Sequence, residues 1–355
     1  MMSLLDRYIG RTVLLSIIAV LVLLLVLIGF FQVLTELEEV AKDYTTTMAY
    51  IYVLLTMPRF TYELFPVATL LGSLIGLGTL AGNAELNAMR AAGVSIGRIL
   101  LSTLKVGVLM LILVAVIGEY VAPRAELQAQ KMKMDALSGH VTLKTRYGFW
   151  SRDGNSYINI REILPNRVLA NVSVYDYDGG QRLQRALHAQ RAVYGDSGWV
   201  LESVRESDFT PGRILVSHRK RMPWSTRLQP ALLDVATVTP QLLPAWDLWR
   251  YIGFLKQNGQ SAQSYEVAFW GKLIAPLVTL VMLFLSVPFV FGSLRSVGIG
   301  QRVFVGAIFG IVFFLLNRAF SYMAVVYDLN ALFSSLIPVL AFFVYAVWMF
   351  RRVGR

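Results

Sequence analysis

The chain contains no cysteine. That excludes disulfides, thiolate nucleophiles and every zinc site built on sulfur. Histidine is almost as scarce, with three residues in 355. His140, His188 and His218 stand far apart in no metal-ligand spacing, so no metal is expected. Neither the G-x-x-x-x-G-K-S/T phosphate loop nor the G-x-G-x-x-G dinucleotide turn occurs. Any ATP hydrolysis must therefore come from another subunit, and no cofactor is expected. Charge is thin as well: 15% of residues are Asp, Glu, Lys or Arg, against about 25% in soluble domains.

Apolar residues take the vacated share, at 56% of the chain with a mean hydropathy of +0.57. They gather into six runs close to the roughly 20 residues that cross a bilayer. The expected spans are Thr12–Leu34, Phe60–Ala81, Ile99–Val121, Val267–Phe291, Val303–Val325 and Leu332–Phe350. The first lacks a small-residue cleavage site and runs through Gly29-Phe30-Phe31 into Glu36-Leu37-Glu38-Glu39. A retained signal-anchor is expected there, not a cleaved signal peptide.

Lysine and arginine set the orientation. One side carries Arg7, Arg11, Arg90, Arg98, Lys105, Arg295, Arg302, Arg351, Arg352 and Arg355. The short loops of the other side carry Lys42 beside Glu36, Glu38, Glu39, Asp43 and Asp328. Both termini are expected in the cytoplasm. The long polar stretch between the third and fourth spans then lies outside, in the periplasm of a Gram-negative cell.

The domain boundaries expected are 1–121 for the first three spans, 122–245 for the inserted domain, and 246–355 for a connecting helix and the last three spans. Within the insert the apolar period shifts to two, as strands require. Ser156–Ile160, Asn171–Tyr175 and Trp199–Val204 alternate in this way. Asp153-Gly154-Asn155, Asp178-Gly179-Gly180 and Gly195-Asp196-Ser197-Gly198 supply turns. An all-β sandwich or open jelly roll is expected. The insert holds 17 Lys/Arg against 11 Asp/Glu, a balance suited to an anionic ligand or to a surface facing anionic lipid heads. After it, Trp246–Lys256 reads as an amphipathic helix ended by Asn258-Gly259, lying at the membrane interface or packed on the domain.

Gly93-Val94-Ser95-Ile96-Gly97 matches the G-x-S-x-G elbow of hydrolases, but no strand precedes it and no histidine shares its side. Ser95 is expected to cap the third span, and no catalytic residue is assigned. The segment 83–93 reads as a short cytoplasmic helix, with Leu86, Met89 and Ala92 on one face flanked by Glu85 and Arg90. It suits either a groove on a soluble partner or an ordinary interfacial loop. Gly72-x-x-x-Gly76, continued by Gly78 and Gly82, allows close helix approach. Arg59, Glu63, Glu119, Lys133, Lys272 and Arg318 all fall toward the outer half of the membrane. Ionisable groups placed there are functional by default. The four basic ones suggest a collar around a cavity for an anionic head group, with snorkelling to the interface as the plain alternative.

Leu5-Asp6-Arg7-Tyr8-Ile9-Gly10, Ala84-Glu85-Leu86 with Ala92-Gly93, Gly118-Glu119-Tyr120-Val121-Ala122-Pro123 and Leu294-Arg295-Ser296-Val297 resemble the lipopolysaccharide-export permease family in order and spacing. The resemblance spans the whole chain. It implies six transmembrane helices with a periplasmic β-jelly roll after the third. It also implies a permease subunit of an ABC transporter in the inner membrane, not an enzyme. Implied partners are the paralogous subunit LptF, a cytoplasmic ATPase dimer of LptB, the jelly-roll proteins LptC and LptA, and lipopolysaccharide; nucleic acid is not among them.

By the same resemblance the 83–93 helix is the coupling helix, Glu85 occupies its acidic position, and Arg59 and Lys133 fall at basic head-group positions. Lys272 and Arg318 rest mainly on their depth. A lysine common late in the first span is Gln32 here. The apolar face of the β domain, through positions such as Val172 and Val174, is expected to form an open slide for lipid. Alternatives are the LptF paralogue itself, another ABC-type permease, a membrane-anchored periplasmic enzyme, or a scaffold.

Overall fold

The computed structural model describes residues 4–40, 44–138, 143–164, 168–178, 182–195, 198–210, 212–226, 239–292 and 297–353. Lys42, Asp43, His140, Gly179-Gly180, Asp196-Ser197, Leu294-Arg295-Ser296 and Arg355 lie outside the described residues.

All six expected spans are present as helices long and apolar enough to cross a membrane. They are α1 (Leu4–Glu38), α2 (Thr46–Gly82), α4 (Ile96–Val116), α7 (Gln263–Phe291), α8 (Ile299–Val326) and α9 (Ala331–Val353). A short α3 (Glu85–Ala91) joins α2 to α4. A π segment, Ile117–Val121, leads from α4 into α5 (Ala122–Ser138). Past the β insert come a 3-10 turn, Pro240–Leu242, and α6 (Ala245–Gln257).

Two helices outrun their apolar runs. α2 has 37 residues, roughly 55 Å at 1.5 Å per residue against about 30 Å of hydrocarbon. Thr45 starts it by accepting the Met48 N–H at 3.4 Å. α5 continues the third span for four more turns through Ala, Gln, Glu, Lys and Met, residues that favour helix at any polarity. Hydropathy ends at the membrane surface, but helix propensity does not. Both helices therefore extend beyond the bilayer on the β-domain side.

α2 and α7 form the centre of the bundle, with α1 along α2 and α9 along α7. The α1–α2 contact runs over the glycine stripe, as expected. A Cβ at Gly72 would fall inside the contact radius of the Ile17 backbone, and one at Gly76 would lie 3.0 Å from Val13 Cα. Gly72→Ala must push two helices apart, and we expect it to cost about 1–3 kcal/mol. Thermal unfolding in detergent checks this. Gly82→Ala is the control, since a Cβ there meets nothing within 4 Å.

The insert is a six-stranded antiparallel sheet in the order β1-β2-β3-β4-β5-β6. Its strands are β1 (Leu143–Asp153), β2 (Ser156–Leu164), β3 (Val168–Tyr177), β4 (Leu183–Gly195), β5 (Gly198–Thr210) and β6 (Arg213–Trp224). The period of two holds on both sides of a single cross-strand line. There the buried series steps by three, from Leu169 to Val172, from Ala189 to Ala192 and from Leu201 to Val204. These positions are cross-strand partners, Leu169 with Ala192 with Leu201, and Val172 with Ala189 with Val204. Asn171 and Ser203, both at φ of 54°, stand on this line. The pairing register runs unbroken across it, so neighbouring strands take the same step together and one apolar face stays inward. Val172 and Val174 are buried on that face, and Phe254 of α6 packs against it.

Candidate functional site

The ionisable residues at the β-domain end of the bundle converge, but as ion pairs. Glu119, Glu126 and Lys133 follow one another at seven-residue intervals along the π segment and α5. Two helical turns separate each from the next, so they share a face in tiers about 10 Å apart. In the lowest tier Lys272 Nζ, its side chain 9% exposed, lies 3.1 Å from Glu119 Oε1 and 5.7 Å from the Tyr62 ring centroid. The other Glu119 oxygen accepts the Ala245 N–H at 2.8 Å. One carboxylate thus ties the third span, the fourth span and the first turn of α6.

In the middle tier Arg59 Nη1 lies 3.5 Å from Glu126 Oε1 and Arg59 Nε 3.7 Å from Glu63 Oε1. In the top tier Lys133 Nζ is 2.8 Å from both Glu36 and Glu39. It also faces the rings of Tyr44 and Tyr52. Tyr44 donates to Glu36 at 2.9 Å. Burial and that hydrogen bond push the Tyr44 hydroxyl well above its usual range, so it remains a donor. Arg318 stands apart, exposed on α8 and bonded to Tyr322 Oη at 3.3 Å.

The structure thus joins Arg59, Lys133 and Lys272 into one stacked belt and leaves Arg318 beside it. Sequence reading missed Glu126 altogether and took Glu36 and Glu39 only as topology markers. The seven-residue spacing of Glu119, Glu126 and Lys133 was the available signal.

At the opposite end, α3 sits against the bundle. Leu86 is fully buried in the bundle core, and Met89 is half-buried against it. Glu85 accepts from Tyr8 Oη at 2.7 Å and from Asn83 Nδ2 at 3.2 Å. Arg90 is exposed, 6.0 Å above the Phe291 ring. The predicted face is therefore split: Leu86 and Met89 point inward, while Ala92 is exposed. Beside α3, buried Asp6 accepts from Ser102 Oγ at 2.5 Å and pairs with Lys105 Nζ at 2.8 Å, fixing α1 to α4. Ser95 caps α4 by accepting the Arg98 N–H at 3.2 Å, as expected.

In the β domain Ser173 Oγ lies 3.1 Å from His188 Nδ1. Burial first, then the charges of Arg205 and Arg161, hold the imidazole below its usual value. A Ser–His nucleophile needs a carboxylate to orient the ring and stabilise its cation; this ring faces cations instead. Among the described residues no group of His, Asp and Glu is placed to hold a metal ion.

Six spans, an inserted sheet with an apolar face, and a belt of paired charges at the end of the bundle that carries the insert define a multi-pass membrane protein. From residue 7 to residue 352 the chain matches the family described as "Lipopolysaccharide export system permease LptF/LptG", and it belongs to that family. It is similar to the protein named lipopolysaccharide export system permease protein LptG of Escherichia coli strain K12, 35% identical over 352 residues and covering 98% of both chains. The protein of the same name from Haemophilus influenzae is 34% identical over 355 residues, 99% of both chains. The family resemblance read in the motifs is thereby borne out, together with its six-span architecture. Family and spans together make the chain a multi-pass inner-membrane permease of lipopolysaccharide export.

Proposed function

We propose that the chain is the LptG-type half of an ABC transporter that lifts lipopolysaccharide out of the inner membrane. In this reading it pairs with LptF above an LptB dimer and hands the lipid to the jelly rolls of LptC and LptA. Both termini face the cytoplasm and the β domain faces the periplasm.

The observation that carries the reading is the belt of Arg59, Lys133 and Lys272. It lies where an apolar bundle gives way to a sheet with an apolar inner face. An extracted lipid loses about 0.8 kcal/mol for each CH₂ brought into water, so the path must be apolar along its length. The head group, by contrast, needs charge at the bilayer surface. Exposed apolar faces on α1, such as Leu23 and Phe30, and on α8, such as Phe304 and Phe314, are offered to the paralogue and to acyl chains. At the other end Glu85 and Arg90 are the polar contacts proposed for the ATPase. Leu86 and Met89 seat the coupling helix on the bundle, so that its motion is the bundle's motion. ATP-driven closure expels the lipid if the open and closed cavities bind the ATPase differently.

Native mass spectrometry of the gently purified complex tests this. The expected mass is this chain with one LptF and two LptB copies, carrying lipopolysaccharide. A lone chain or homo-oligomer with ordinary phospholipid would overturn the reading.

A further inference from the structure

Two of the three belt cations are held by carboxylates in very different ways. Lys133 is saturated. Both Glu36 oxygens lie within 2.9 Å of its Nζ, Glu39 lies at 2.8 Å, and two aromatic rings face it. Such a group has no donor to spare and acts as a joint between the ends of α1 and α5.

Arg59 is the opposite case. Its nearest carboxylate contact is 3.5 Å, to Glu126 Oε1, and that oxygen is shared with Gln130 Nε2 at 3.3 Å. Neither Arg59 Nε nor Glu126 Oε2 has a hydrogen-bond partner, although both atoms are buried. The Glu126 side chain is 2% exposed, while the Arg59 side chain is 25% exposed. The cation is thus reachable from outside, with the carboxylate behind it. A pair with such loose geometry repays little of its desolvation cost. The guanidinium, 4.5 Å over the Phe60 ring, is open on its exposed part to a better-fitting anion.

The charge balance points the same way. Arg59, Lys133 and Lys272 face Glu36, Glu39, Glu63, Glu119 and Glu126, so carboxylates outnumber the cations they hold. This belt cannot trap any passing anion by net attraction. It can only exchange one anion for another.

We infer that Glu126 is the internal counter-ion that a lipid phosphate must displace from Arg59, and that it thereby determines which lipids are accepted. The inference rests on the reading above, in which the head group reaches this belt. A phosphomonoester carries about −1.5 to −2 near neutral pH and three acceptor oxygens. The phosphodiester of an ordinary phospholipid carries a single charge and two free oxygens. Exchanging a carboxylate for a diester gains no charge, whereas exchanging it for a monoester does. Glu126 therefore sets a threshold that multiply charged, monoester-bearing lipids pass and the surrounding phospholipids do not.

The test uses the assembled transporter in nanodiscs. It compares binding of lipid A with two phosphomonoesters, lipid A with one, and phosphatidylglycerol. A counter-ion that must be displaced lowers every ligand's affinity by the same factor. In Glu126→Gln all three lipids should therefore bind about three- to tenfold more tightly, and phosphatidylglycerol should gain occupancy at concentrations where the native protein holds little. Glu126→Asp keeps the charge with a shorter reach and should tighten them less; it serves if the Gln variant fails to assemble. Unchanged or weaker binding of the three lipids in the variant used overturns the inference. Arg59→Ala separates the two levels. If it weakens lipid A binding while Glu126→Gln leaves all three affinities unchanged, only the counter-ion role fails. If Arg59→Ala leaves lipid A binding unaltered, the head-group reading fails with it.

Discussion

Glu119→Ala should destabilise the junction between bundle and β domain far more than removal of the lysine it pairs with. The carboxylate has two unrelated tasks. One oxygen neutralises Lys272, whose side chain is 9% exposed, and the other caps the first turn of α6 through the Ala245 N–H. Alanine leaves the ammonium buried and uncompensated, a loss of about 3–5 kcal/mol when one partner of a buried pair is removed. It also uncovers a helix N-terminus, worth roughly 0.5–2 kcal/mol. Lys272→Met is milder. Glu119 keeps its capping bond, its side chain is 31% exposed and thus still hydrated, and the thioether fills the vacated space. Glu119→Gln with Lys272→Met should recover most of the loss, because the amide oxygen still caps and no buried charge remains. Thermal unfolding of the four proteins decides the matter. A Lys272→Met cost equal to that of Glu119→Ala would refute the two-task account.

That junction also shows what a sequence can and cannot reveal here. The apolar runs located every span, because twenty apolar residues have no other stable environment. Helix ends were harder. Ala122–Ser138 is helical without being apolar, so hydropathy is blind to it and propensity alone is a weak guide. In Thr46–Arg59 the apolar residues are interrupted by Thr56, Pro58 and Arg59, which end a hydropathy run but not the helix. The β insert was legible through its alternation, but the step of three at Asn171 and Ser203 was not. Neither residue is a glycine, and although asparagine tolerates the left-handed region, one Asn inside an alternating run does not announce it. At the belt, depth along each span identified Arg59, Lys133 and Lys272. Their counter-charges depend on which helices are neighbours, a fact fixed by packing and not by order along the chain. Glu119 was noted and Glu126 passed over, though they are two turns apart on one face.

The clearest functional effect is expected at the other end, where Glu85→Ala should sharply reduce lipid-stimulated ATP hydrolysis without unfolding the bundle. α3 has seven residues, too few to be stable alone. It is held from below by Leu86, 1% exposed in the bundle core. Leu86→Ala should therefore cost about 2–5 kcal/mol and lower stability and coupling together. Glu85 is different, since its bonds to Tyr8 and Asn83 are exposed and contribute little to folding. Its removal should spare the melting temperature and cut coupling by about tenfold or more, the effect of losing a charged interface contact worth at least 1.4 kcal/mol. Tyr8→Phe distinguishes the two ways in which Glu85 can act. A carboxylate that works on the ATPase should survive loss of the Tyr8 hydroxyl with coupling nearly intact. A carboxylate that only fastens α3 to α1 should make Tyr8→Phe and Glu85→Ala equivalent. Equal loss in those two variants would move Glu85 from the partner interface to the hinge of its own chain.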